Sequence, residues 1–93
     1  MYTEDQIHHR SYAGPEAGKW LTRILQNAPA GGQLSYIGEH GDTMFNIGQM
    51  NRALAEISET LSRNPDLFNE ASALTTLIQE TIKKRGYIWI SGD

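Results

Sequence analysis

The chain has 93 residues, of which 39% are hydrophobic and 20% charged, with a formal net charge of −3 and no cysteine. That length and composition predict one globular domain over 1–93, with a radius of gyration of about 12 Å and no room for the deep cleft of a multi-substrate enzyme. The missing cysteines exclude disulfides, thiolate-bound zinc and a cysteine nucleophile.

Three expectations about surroundings follow. The charge balance, with no long basic block, weighs against a nucleic-acid partner, because such modules concentrate cations on one face. No apolar run approaches the ~18 residues of a membrane span. Met1-Tyr2-Thr3-Glu4-Asp5-Gln6 is not the basic start of a signal peptide, so the expected compartment is the cytoplasm.

Thr3 and Gln6 have capping-box spacing and predict a short helix over 4–12. Gly14-Pro15 breaks it and opens a second helix over 15–27, in which Ala17, Trp20, Leu21, Ile24 and Leu25 share one face. Ala28-Pro29-Ala30-Gly31-Gly32 can continue no regular element. The alternation over 33–37 predicts a short strand, which Gly38-Glu39-His40-Gly41-Asp42 turns.

From Thr43, read as a cap, Ile47, Met50, Leu54, Ile57 and Leu61 repeat at spacings of three and four and predict a helix over 43–62. Asn64-Pro65-Asp66 stops it and starts another over 65–85, with Leu67, Ala71, Leu74, Ile78 and Ile82 as its stripe. Lys83-Lys84-Arg85 suits the negative end of that helix, and Gly86 is read as its left-handed stop. Tyr87-Ile88-Trp89-Ile90 then reads as a strand. The expected fold is therefore mainly α: a long antiparallel helical hairpin, a third helix across it, and a minor two-stranded β element from 33–37 and 87–90.

Ile37-Gly38-Glu39-His40-Gly41, with Met44 and Ile47 beyond it, resembles the core signature of KH domains. The resemblance implies a glycine loop clamping single-stranded nucleic acid by its backbone. Glu39, His40 and Asp42 supply no cation there, and further helix follows where that family has strands, so a turn into a helix is the stronger reading.

His8 and His9 are adjacent and point about 100° apart on a helix, and His40 has only Glu39 and Asp42 nearby in sequence, so no metal site and no cofactor is expected. There is no Gly-x-Ser-x-Gly turn and no phosphate loop, and Glu56 and Glu59 read as a solvated helix face. No enzymatic activity is expected.

Two surfaces stand out instead. Arg10, Tyr12, Lys19 and Arg23 gather cations and an aromatic near the Gly14-Pro15 helix start, where an anion would meet free amides. His9-Arg10-Ser11-Tyr12-Ala13-Gly14 also looks like the opening of small phage-encoded helical sponges, a resemblance that implies sequestration of cyclic nucleotides.

The second surface is Tyr87, Ile88, Trp89 and Ile90, apolar on both faces of a strand and thus either covered or used for contact. The leading expectation is a small non-enzymatic module that binds another protein, or itself as a homo-oligomer, through these four residues and acts stoichiometrically. An inhibitor or adaptor of a host complex, encoded by a phage or mobile element, fits that class. The alternative is a small-molecule anion or nucleotide binder using Arg10, Tyr12, Lys19 and Arg23.

Overall fold

The computed structural model describes residues 1–5, 9–28, 32, 34 and 43–90. In chain order these form β1 (Tyr2–Glu4), β2 (Arg10–Tyr12), α1 (Pro15–Leu25), β3 (Thr43–Phe45), α2 (Ile47–Arg63), a 3-10 turn (Pro65–Leu67), α3 (Phe68–Lys83) and β4 (Tyr87–Ile90). The strands make one antiparallel sheet in the order β2-β1-β4-β3. The radius of gyration is 12.2 Å.

This mixed α/β architecture overturns the mainly α fold expected from the sequence. The sheet has four strands, not two, and no long hairpin organises the chain, since α3 packs against α1 as well as against α2. The strand at 87–90 is real, but its partners are β1 and β3. The expected partner at 33–37 and the turn at 38–42 lie outside the described residues, except for Leu34, which is buried.

The helix expected over 4–12 is replaced by β1 and β2. Their register pairs Tyr2 with Tyr12, Thr3 with Ser11, and Glu4 with Arg10. Aromatic meets aromatic, hydroxyl meets hydroxyl and anion meets cation, the cross-strand pairs that stabilise antiparallel ladders. β1 also fills the side of β4 that β3 leaves open, so its backbone groups are satisfied on both edges.

The cap of α2 moves too. Thr43 belongs to β3, and Asn46 caps the helix: its Oδ1 accepts from the Gln49 amide at 2.9 Å, while Gln49 Oε1 accepts from the Asn46 amide at 2.9 Å. At the far end Asn64 Nδ2 donates back to the Thr60 carbonyl at 3.0 Å, and Pro65 opens the 3-10 turn before α3.

The core lies between the helices and one sheet face. It gathers Leu21 and Ile24 from α1, Met50, Ala53 and Ile57 from α2, Ala71, Leu74 and Ile78 from α3, and Phe45, Ile88 and Ile90 from the sheet. The α2 stripe is thus centred one residue away from the expected one, on Met50, Ala53, Ile57 and Thr60, with Leu54 and Leu61 half-buried at its flank and Ile47 exposed. Thr60 and Thr81 enter the interior because each hydroxyl donates to the carbonyl four residues earlier, at 2.7 and 2.8 Å.

The stop of α3 also differs from expectation. Arg85, with φ of 56°, is the left-handed residue, and the Gly86 amide closes the end by donating to the Thr81 carbonyl at 3.0 Å. Gly86 is needed for a different reason: a Cβ there would collide with the Glu4 carbonyl, where β1 passes the start of β4.

Candidate protein-binding face

Because side chains alternate along a strand, the register divides the sheet into two faces. Thr3, Thr43, Phe45, Ile88 and Ile90 point to the helices. Tyr2, Glu4, Arg10, Tyr12, Met44, Tyr87 and Trp89 share the other face. Among the described residues, the core cluster draws none from that outer face.

At its centre the Arg10 guanidinium lies over the Trp89 ring, 4.4 Å from the centroid. Its Nη2 is 3.3 Å from Glu4 Oε1, which also accepts a bond from Nε. Glu4 is buried, at 9% exposure, between its cross-strand neighbours Arg10 and Tyr87. The carboxylate fixes the guanidinium and the guanidinium covers the indole. With the cation still partly exposed, the stack contributes about 0.5–1 kcal/mol.

Beside it Tyr2 and Tyr12 stack at 5.3 Å with a 50° tilt. Tyr12 is 60% and Met44 40% exposed, while Tyr2, Tyr87 and Trp89 are half-buried. The Trp89 indole N–H is buried and has no hydrogen-bond partner among the described residues. An unbonded buried donor costs about 1–3 kcal/mol, which this face carries.

The structure mixes the two sets of site residues expected from the sequence. Tyr87 and Trp89 stand on the outer face together with Arg10 and Tyr12, whereas Ile88 and Ile90 turn inward, 1% and 7% exposed. Lys19 and Arg23 are elsewhere, on α1, where Lys19 meets Glu16 at 3.5 Å and Arg23 meets Asp66 at 3.7 Å. Arg10 and Tyr12 are therefore separated from Lys19 and Arg23, and each of the three cations has a carboxylate of its own.

Sequence reasoning missed Tyr2 and Met44. Both were legible as partners of Trp89 only once β1 and β3 were recognised as strands. The glycine loop of the KH-like pattern, with His40, and also His8 lie outside the described residues. Glu56 accepts from the Leu34 amide at 3.0 Å, which ties Leu34 to α2, and Glu59 pairs with Arg63 at 2.8 Å.

Away from that face, described residues line two hollows. A polar cleft of about 120 Å3 lies between the helix-side residues Thr3 and Ser11 and the end of α3, at Glu80, Thr81 and Lys84. Small-molecule pockets run to about 300–1,000 Å3, so this one is below the size a nucleotide needs. An open groove of about 360 Å3 runs between α2 and α3, lined by uncharged residues including Leu54, Ser58, Leu61, Ser72 and Thr75. It has the volume but lacks the convergent charged groups that would orient a ligand.

No family model, no curated protein and no solved structure matches this chain. Among the described residues, no helix is long and apolar enough to cross a membrane.

Proposed function

We propose that the protein is a small binding module that acts stoichiometrically, by docking a partner protein on the outer face of its sheet. The observation that carries this reading is the composition of that face: Tyr2, Tyr12, Tyr87, Trp89, Met44 and Arg10 on three-residue and four-residue strands. Tyr, Trp, Met and Arg are the types enriched at interface centres, because they exclude water over a large area at a small entropic cost.

The chemistry of the partner follows from the same residues. Arg10 is neutralised by Glu4, so the face has no net charge to attract a polyanion. What it offers is aromatic area and phenol hydroxyls, which suit an apolar protein patch rimmed with hydrogen-bond acceptors. A module that binds stoichiometrically in this way would act as an inhibitor or adaptor.

The test is affinity capture from lysate, followed by reconstitution with the purified partner. A protein retained by the wild type, saturable at a fixed ratio, and weakened by about 2 kcal/mol in Trp89→Ala supports the reading. A partner held equally well by Trp89→Ala and Met44→Asp, in variants that remain folded, overturns it.

A further inference from the structure

The outer edge of β2 is a second interaction surface, which offers backbone groups where the face just described offers side chains, although Arg10 and Tyr12 belong to both. In an antiparallel pair, residues alternate between those that exchange backbone hydrogen bonds with the neighbour and those that turn theirs away. The Ala13 amide donates to the Met1 carbonyl at 3.0 Å and the Asp5 amide to the His9 carbonyl at 3.1 Å. With the register Thr3↔Ser11, the bonded pairs are therefore 1 with 13, 3 with 11 and 5 with 9.

Arg10 and Tyr12 consequently direct their amides and carbonyls out of the sheet. β2 is the terminal strand, all three of its residues are exposed, and among the described residues nothing bonds those outward groups.

We propose that this edge pairs with the same edge of a second copy, antiparallel about a two-fold axis at Ser11, to form a continuous eight-stranded sheet. The sequence of β2 is complementary to itself in that register. Arg10 faces the partner's Tyr12 and Tyr12 faces the partner's Arg10, each pair exchanging an amide-carbonyl bond in both directions, four bonds in all. Ser11 meets the partner's Ser11 at the close, non-bonded position, where the hydroxyls can bond each other.

Charge excludes one neighbouring register. A slip that keeps the bonding parity but centres the axis on Arg10 would set two guanidinium groups against each other, which is unfavourable. In the Ser11-centred register the only charged residue of the strand lies beside an aromatic ring.

Three residues make a short interface, below the area of a permanent dimer, so the association is weak and concentration-dependent. The experiment is sedimentation equilibrium over about 1 μM to 1 mM, the range in which an interface of this size is populated. The wild type is expected to pass from monomer toward dimer. Tyr12→Lys, which opposes a lysine to the partner's Arg10, is expected to weaken association about tenfold or more, whereas Tyr12→Glu, which opposes a carboxylate to it, retains or strengthens association.

Circular dichroism confirms that each variant is folded. Hydrogen exchange on the wild type supplies a readout free of mutation: the Arg10 and Tyr12 amides gain protection as concentration rises, and the Ser11 amide, bonded within the chain, does not. A wild type that stays monomeric to the top of the range overturns the proposal. So does an equal loss in Tyr12→Lys and Tyr12→Glu, or self-association abolished by Met44→Asp while both Tyr12 variants behave as wild type. The last result would transfer self-association to the outer face and leave the docking reading standing.

Discussion

β4 presents two chemically similar sets of side chains to two different surroundings. Ile88 and Ile90 are buried in the core cluster with Phe45, while Tyr87 and Trp89, one position out of phase, lie on the face that the core does not use, with Trp89 under Arg10. Hydrophobicity alone does not distinguish them. The difference comes from their neighbours: the inner pair belongs to the buried cluster to which the helices contribute, whereas Trp89 of the outer pair is covered by a guanidinium held by a carboxylate. The inner face is closed by packing, and the outer one is closed by a polar clasp that a partner could displace.

The largest expected effect tests the inner half of that contrast. Ile88→Ala removes fully buried methylenes and should lower unfolding free energy by about 2–5 kcal/mol in urea denaturation, against about 1 kcal/mol for Trp89→Ala. Equal losses would mean that both faces of β4 are core.

Gly86→Ala comes next. Its Cβ meets the Glu4 carbonyl, a backbone atom that can yield only by shifting β1, so a loss of about 1–3 kcal/mol is expected. Alanine tolerated without loss would show that β1 and β4 do not approach so closely.

The smallest effects belong to the clasp. Arg10→Ala should cost about 1 kcal/mol and expose the indole, seen as a red shift and stronger quenching of Trp89 emission, with Trp20→Phe used to isolate that signal. Tyr12→Ala should change stability by no more than about 0.5 kcal/mol. A larger loss at Tyr12 than at Arg10 would make the tyrosine pair, not the clasp, the main support of the outer face.

How far these features were legible depended on whether the signal was local. The Gly14-Pro15 opening of α1 and the apolar stripe of α3 follow from neighbouring residues, and both are present. The helix cap shows the opposite case: a stripe read outward from Ile47 extends to Thr43 and overruns a strand of only three residues, whereas the cap is the Asn46-x-x-Gln49 box immediately before Ile47.

The sheet was the costlier miss. Tyr-Thr-Glu and Arg-Ser-Tyr are weak strand signals alone and strong only as a facing pair, and the Thr3-Gln6 spacing competed with them for a helix. The outer face inherits that difficulty. Its residues come from four strands spread along the chain, so no window of sequence contains it.

The position of β1 in the strand order has a consequence for how the molecule is made. Tyr2 stands opposite Trp89, nearly the full chain away, and β1 is the link that joins β2 to the rest of the sheet. The β1-β2 hairpin is local and can form early, whereas its attachment requires closure of a loop containing all three helices, the slow kind of step in folding. Until that step, an N-terminal ribbon with two bare edges coexists with an exposed Ile-Trp-Ile segment. The period before closure is therefore when the chain is most prone to mispairing and aggregation.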